Sequence, residues 1–416
     1  MKRPAAPRAT GAAHDWFSAV SLPSVEEARA AILAWAPAMS AKTVALADAL
    51  GRTLAEDIHA LRDQPPYAAS AMDGWAVAAA DTPGRLRIAG ESAAGTPFGA
   101  AMARGEAVRI FTGAAVPSGA DTVVIQEVAT RDGELIEVPE TPNGQYVRPA
   151  GCDFRGDELL LRSGARLDAW RLSLAAAGGR GELAVARRPR VAFLSTGEEI
   201  IDPGRAPGPY QIFDAGTVAL VALAGRWGAA AERLKPVGDD LDATAQAVRE
   251  AECDLIVTVG GASVGDHDLV KPALARLGLE LAVENVNVRP GKPTWFGRLA
   301  DGRRVLGLPG NPSSSLVCAE LFLRPLLMAM QGADPALPMI RVRAGARFPA
   351  NGSREHWMRA KITIGSDGVV SAEAFADQDS SLVSVFASAD ALVRRPAGAA
   401  GLDPGGMVEA LLLARA

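Results

Sequence analysis

Little in this chain could hold it together by covalent or metal staples. Its 416 residues include three cysteines, Cys152, Cys253 and Cys318, which are scattered and odd in number. That pattern excludes a disulfide framework and the paired spacing of a zinc site. It reads as free thiols in a reducing cytoplasm, with Cys253 and Cys318 in apolar runs that suit a core. Positive charge is also short: the net charge is −5 and the pI about 5.6, so no global basic field invites nucleic acid. No run approaches the roughly 18 apolar residues that span a bilayer. Residues 1–21 carry Lys2, Arg3 and Arg8 without the apolar stretch of a signal peptide, and their Ala and Pro content predicts a disordered tail. The expected protein is soluble and cytoplasmic, with no nucleic acid and no membrane among its partners. Two nucleotide signatures are missing as well, the Walker loop with its Gly-Lys-Ser/Thr and the Gly-x-Gly-x-x-Gly fingerprint.

The chain does have ample apolar material, 49% hydrophobic against 22% charged, in a length too great for one core. Ser24-Val25-Glu26-Glu27 is a capping box that opens a helix to Trp35, and a second short helix is expected around Val44–Leu50, ended by Gly51. From Pro65 short β-rich runs separated by turns follow: Arg85–Ala89, Ala107–Phe111, Thr122–Glu127 and Leu135–Val138. Arg166–Ala177 reads as a helix. From Arg190 strands and helices alternate, which implies a mostly parallel sheet covered on both faces. Its strands are Val191–Leu194, Glu232–Val237, Leu255–Val259, Ala282–Val288 and Arg304–Leu308; its helices are Thr217–Trp227, Leu241–Glu250, Leu269–Leu277 and Leu316–Met330. After Pro335 and Pro338, the runs Ile340–Ala344, Trp357–Ile364, Val369–Ala374, Leu382–Phe386 and Met407–Leu413 suggest a small β barrel.

Two glycine-rich turns directly follow apolar β runs. Val259 is succeeded by Gly260-Gly261-Ala262-Ser263-Val264-Gly265-Asp266-His267-Asp268, and Leu308 by Pro309-Gly310-Asn311-Pro312-Ser313-Ser314. Between them lies Arg289-Pro290-Gly291-Lys292-Pro293. Glycines let backbone amides approach an anion, and loops at the carboxyl ends of parallel strands converge on one crevice. The expected site is therefore a phosphate or oxyanion site with a lysine beside it, and with Asp266 and Asp268 suited to a metal that bridges carboxylate and phosphate. Ser195-Thr196-Gly197-Glu198-Glu199 ends another strand; capping of a following helix competes with function for Glu198, while Glu199 leans to function. Asp239-Asp240 offers either a cap or a divalent-ion ligand. Ser70-Ala71-Met72-Asp73-Gly74 and Phe111-Thr112-Gly113 are turns that could equally be structural. The rival enzyme reading is the Gly-x-Ser-x-Gly match at Gly261–Gly265, which the acid-rich continuation disfavours.

In order along residues 22–413, Ser70–Trp75, Phe111–Gly113, Gly151-Cys152-Asp153, Ser195–Glu199, Gly260–Asp266, Arg289–Pro293 and Leu308–Pro312 together resemble the molybdopterin molybdenumtransferase family, which includes the gephyrin E domain. That resemblance implies a multidomain α/β plus β fold. Its parts are a tail at 1–21, a discontinuous domain at 22–69 and 148–187, an inserted β subdomain at 70–147, a doubly wound α/β domain similar to molybdopterin adenylyltransferase at 188–334, and a C-terminal β barrel at 335–416. It implies insertion of molybdate into adenylylated molybdopterin with release of AMP, dependent on Mg2+. It also implies a homodimer that shares its cleft between subunits, with transient contact to a molybdopterin adenylyltransferase and to molybdoenzyme maturation proteins. Position by position, Asp73, Thr112 and Asp153 match residues that complete the partner's cleft. Glu199, Asp239 and Asp268 match the metal and catalytic acids. Gly260, Gly261, Ser263, Gly265, Pro293, Pro309, Gly310 and Asn311 match the binding turns, and Arg289, Lys292, Ser314, Arg354 and Ser380 a molybdate cluster. The departures are Arg289 for lysine, Gly216 for asparagine and Ser313 for valine, the last expected to be neutral. The alternatives are an adenylyltransferase, which would resemble the α/β domain alone, and a non-catalytic scaffold on the same fold.

Overall fold

A strand whose every residue is buried, with largely buried neighbours, dictates the centre of the α/β domain. In the computed structural model, which describes residues 22–261 and 269–413, Arg190–Ser195, Ala230–Arg233, Leu255–Val259 and Arg304–Leu308 run parallel, and Glu280–Val283 and Trp295–Arg298 extend the sheet antiparallel to six strands. Leu255 to Val259 are buried without exception, as a strand covered on both faces requires. Ala192, Leu194, Ile256 and Val305 pack with Val248, Val270 and Leu274, so helices Leu241–Glu250 and Val270–Ala275 cover one face. Helix Ala215–Arg226 and the apolar helix after Asn311 cover the other. The α/β domain is doubly wound, as expected.

The described chain divides into two compact units, one of residues up to 37 with 188–330 and 334 onward, the other of 38–187 with 331–333. Helix Val25–Ala34, which the sequence groups with residues 22–69, folds instead with the α/β unit. Its Val25, Ala28 and Ile32 are buried there, and the Asn287 N–H donates to Pro23 O at 2.8 Å. The helix expected at Val44–Leu50 is strand Ala41–Ala45, paired with Glu182–Ala186, followed by a single 3-10 turn at Leu46–Asp48. The pairing supplied by the later strand outweighs local helix propensity.

The second unit is built on a mixed six-stranded sheet in which Gly74–Val77 lies between Thr122–Ile125 and Glu106–Ile110. Period-two alternation divides it cleanly: Trp75 and Val77 pack on one side with Leu86 and Ile136, Ala76 and Ala78 on the other with Val108 and Ile110. In the first unit, Met339–Ala344, Glu355–Ile364, Val370–Ala374, Ala391–Arg395 and Met407–Leu412 close into a five-stranded barrel, since Glu355–Ile364 also pairs with Ala391–Arg395. The strand expected at Leu382–Phe386 is helix Val383–Ser388, and the closing strand Ala391–Arg395 was not anticipated.

Residues 312–330 form one continuous helix with a π-turn at Ala319–Leu323. Pro325 has no N–H to donate back, and widening the preceding turn makes room for its ring. By length and hydropathy this helix alone, among the described residues, meets the test for crossing a bilayer, contrary to the expectation of no such run; 89% of it is buried inside the fold, as a core helix is. Phe193 lies fully buried in the central sheet. Phe193→Ala is expected to cost about 3–5 kcal/mol, read by urea denaturation.

Candidate active site

Parallel strands point their carboxyl ends one way, and here the loops at those ends surround a cleft of about 780 Å³ in the α/β unit. Its wall includes Glu199, Asp239, Gly260, Gly261, Pro293, Pro309, Gly310 and Asn311, all anticipated from sequence. Gly260 and Gly310 end adjacent strands and touch: a Cβ on Gly310 would lie 3.4 Å from the Gly260 Cα. Only such close backbone contact lets both turns present amides to one ligand.

The Ser195–Glu199 loop opens no helix; it leads into the short strand Ile200–Ile201, so the capping alternative for Glu198 falls away. The Glu199 carboxylate folds back over Gly197, where a Cβ would meet it at 2.5 Å. Asp240 is the cap of helix Leu241–Glu250, accepting from the Ala243 N–H at 2.7 Å, which leaves Asp239 as the acid on the cleft wall. Ser263, Gly265 and Asp268 lie outside the described residues, as does the serine of the Gly-x-Ser-x-Gly match. Among the described residues no three acid, histidine or cysteine side chains gather as a ready-made metal site.

Sequence reasoning gave no role to Asp214. It is buried in the cleft wall and accepts from the Ser195 hydroxyl at 2.8 Å, the Thr217 N–H at 3.0 Å and the Thr217 hydroxyl at 2.5 Å, tying helix Ala215–Arg226 to the end of strand Arg190–Ser195. An aspartate three residues before a threonine at a helix start was the available signal. Ile212 and Phe213 add an apolar rim, 57% and 47% exposed. Gly216 also lines the cleft, with ordinary contact space around a would-be Cβ.

Lys292, Ser314, Arg354 and Ser380 are not wall residues of this cleft, although Pro293 and Ser381, beside Lys292 and Ser380, are. The lysine turn rests on Cys318. A Cβ on Gly291, at φ +115°, would fall 2.1 Å from the Cys318 Sγ, and the Thr294 hydroxyl reaches both that sulfur at 3.1 Å and the Gly291 carbonyl at 2.8 Å. Burial pushes the Cys318 thiol up to about 12, so it packs and does not react. Cys318 stands one helical turn after Ser314, which couples the lysine turn to the helix that starts at the Pro309–Asn311 turn. The Asn311 side-chain amide donates to the Ser380 hydroxyl at 3.0 Å, and the buried Ser313 hydroxyl donates to Leu382 O at 2.8 Å. Ser313 therefore makes a contact that a valine could not.

In the other unit, Asp73 accepts from the Thr112 N–H at 2.7 Å and its hydroxyl at 2.8 Å, which joins two turns the sequence had singled out. Arg109, not anticipated, holds both turns. Its guanidinium lies 5.5 Å from the Trp75 ring and 4.8 Å from Phe111, and it donates to Gly74 O and Gln126. Asp153 is exposed on a separate turn, its N–H donating to Gln64 O.

Comparison with known proteins gives a consistent result. Three family models match in order: the MoeA N-terminal region (domain I and II) over residues 23–179, a probable molybdopterin binding domain over 192–329, and the MoeA C-terminal region (domain IV) over 341–413. A molybdopterin molybdenumtransferase from Nostoc sp. is 33% identical over 330 residues, 76% of this chain and 75% of that protein. One from Staphylococcus aureus is 31% identical over 400 residues, 93% of this chain and 95% of that protein. Solved structures of the molybdopterin biosynthesis MoeA protein from Pyrococcus horikoshii include one with TM-score 0.80 at 30% identity, covering 94% of this chain and 99% of that one, and one with TM-score 0.82 at 24% identity, covering 94% and 100%.

The hydrogen bonds from the Thr112 N–H and then its hydroxyl hold the Asp73 carboxyl below its ordinary 3.8. The charged form is the one favoured, so the effect is present above pH 3.8 and fades as pH falls through the lowered value. Thr112→Val is expected to move the Asp73 titration up toward 3.8, followed by carbon-detected NMR.

Proposed function

The chain belongs to the molybdopterin molybdenumtransferase family, and we propose that the cleft of its α/β unit inserts molybdate into adenylylated molybdopterin and releases AMP. The protein is an enzyme of molybdenum cofactor biosynthesis. The observation that carries the detailed reading is the convergence of Glu199, Asp239 and the Gly260–Gly261 and Pro309–Asn311 turns on one cleft.

The residues divide by chemistry. The amides of the two glycine turns and the start of helix Pro312–Cys318 suit the adenylate phosphate, and the Ile212–Phe213 rim suits a flat pterin or purine ring. Lys292, carried on a turn seated against Cys318, supplies a point charge for a tetrahedral oxyanion, with the Arg354 guanidinium adding a second charge and Ser314 a neutral hydroxyl donor. Two carboxylates on one wall, Glu199 and Asp239, are the hard oxygen donors Mg2+ takes. Those side chains would hold the ion, which would neutralise charge on the departing phosphate. What remains is positioning of molybdate beside the dithiolate, the larger share of such catalysis. Three unpaired cysteines accord with a cytoplasmic setting.

Asp73, Thr112 and Asp153 belong to the other unit, and we assign them to completion of the cleft of a second subunit in a homodimer. Docking of the adenylyltransferase that supplies the substrate, and of the maturation proteins that take the product, is part of the same reading.

Incubation with adenylylated molybdopterin, Mg2+ and molybdate is expected to give molybdate-dependent AMP release and a product that activates an apo-molybdoenzyme. Lys292→Ala should lower the rate about 10²–10³-fold. Tight binding of the adenylylated pterin without AMP release would favour the scaffold. Subunit sharing has its own test. Asp73→Ala and Lys292→Ala chains, each inactive alone, should recover about a quarter of wild-type activity when dissociated and remixed, because half the dimers then carry one intact cleft. No recovery would mean that each chain completes its own cleft.

A further inference from the structure

One stretch of the cleft wall leaves the sheet and comes back to it. After strand Arg190–Ser195 the chain runs through Glu199 and Ile200–Ile201, passes along residues 202–211, and returns at Ile212–Phe213 to helix Ala215–Arg226. Glu199, Ile212 and Phe213 all lie on the wall, so this loop carries both a carboxylate assigned to Mg2+ and the apolar rim. Its backbone is tied to itself by little. Two strands of two residues pair, and the Ile212 N–H donates to Glu199 O at 2.8 Å and the Asp214 N–H to Ile201 O at 2.9 Å. Between Asp202 and Gln211, three prolines and two glycines leave the loop without a helix or strand of its own. A ladder that short does not hold its place unaided.

A side chain from the sheet reaches both feet of the loop. Arg233 ends the edge strand Ala230–Arg233 in direct register with Phe193. Ala192 and Leu194 face helices Leu241–Glu250 and Val270–Ala275, so Phe193 and its partner Arg233 point to the opposite face, where helix Ala215–Arg226 packs. From there the guanidinium pairs with the Asp202 carboxylate at the outgoing foot, and its Nε lies 3.8 Å from the Asp214 carboxylate at the returning foot. The Asp214 side chain is 4% exposed and that of Arg233 24%, so their attraction is little screened by salt. Arg205 also lies 3.8 Å from Asp202, but it belongs to the loop itself and cannot tie it to the sheet.

We propose that Arg233 is a positioning residue of the cleft: one guanidinium bridges the two feet of the loop and so sets where Glu199 and the Ile212–Phe213 rim stand. The planar fork suits two carboxylates at once, which the point charge of a lysine does not. The tasks given to Glu199 and the rim rest on the proposed activity; the clasp does not.

The test compares wild type with Arg233→Met, which keeps the stem and removes the fork, and with Arg233→Lys, which keeps the charge alone. Hydrogen exchange of the full chain, read by mass spectrometry on peptides spanning 199–214, is expected to quicken about tenfold in Arg233→Met while the unfolding temperature stays near wild type. In the AMP-release assay the same variant should raise KM for adenylylated molybdopterin, and the Mg2+ concentration at half-maximal rate, about tenfold each. Its kcat at saturating Mg2+ should stay within about threefold, a split that general loosening would not give. Arg233→Lys should fall between the two. Should Arg233→Met fail to fold, Asp202→Asn weakens the same bridge from the more exposed side and carries the comparison. Exchange needs no turnover, so a wild type that releases no AMP sinks the insertion reading alone, and Mn2+ affinity read by EPR then replaces the Mg2+ arm. Unchanged exchange in Arg233→Met overturns the inference. Faster exchange with unaltered KM and cation dependence overturns it as well, because Arg233 would then be a structural tie only.

Discussion

The parallel register of strands Arg190–Ser195, Leu255–Val259 and Arg304–Leu308 is the constraint on which the rest depends. Once these run the same way, buried on both faces, their following loops have to emerge on one edge of the sheet. Most of the cleft wall is carried by those loops or by the turn and helix seated against them. The sheet also fixes the distance between the two glycine turns, because strands at hydrogen-bonding separation leave no space for side chains between their ends. The cleft is thus a consequence of sheet geometry before it is a consequence of any catalytic group.

Electrostatics divides the site differently. On the cleft wall the acids are sorted by local bonding: Asp240 is spent on a helix start and Asp214 on three donors, while Asp239 and Glu199 face the cleft. Two adjacent aspartates with one sequence signature acquire separate tasks because only one is in register with the first turn of a helix. Across the other unit, Arg109 between two aromatic rings joins the Asp73 and Thr112 turns in a way that no spacing rule describes.

How legible this was in the sequence follows from what each signal measures. Leu255–Val259, Arg304–Leu308 and helix Leu241–Glu250 were read to the residue, because continuous apolar runs and a well-patterned amphipathic helix report burial directly. Val44–Leu50 and Leu382–Phe386 were misread in opposite directions, the first a strand because a segment some 140 residues later pairs with it, the second a helix after Asp379 and Ser381 close a turn. Both depend on partners distant in sequence or on hydroxyl bonding, which periodicity does not register. The turns on the cleft wall were legible because glycine and proline directly after a buried parallel strand mark where the chain leaves the sheet. Asp214 and Arg109 were not, since a single polar residue in an apolar stretch looks the same whether it is capped, stacked or left unpaired.

The seat of the lysine turn has a consequence for how such a chain can drift. At position 291 any side chain would occupy the space of the Cys318 sulfur, and at position 318 anything bulkier than cysteine would press on the turn from below. Although 27 positions separate the two, they constrain each other unequally. Among descendants of this sequence position 291 is held to glycine both by its φ of +115° and by the sulfur behind it, so drift in volume is open only to position 318, and only toward smaller side chains.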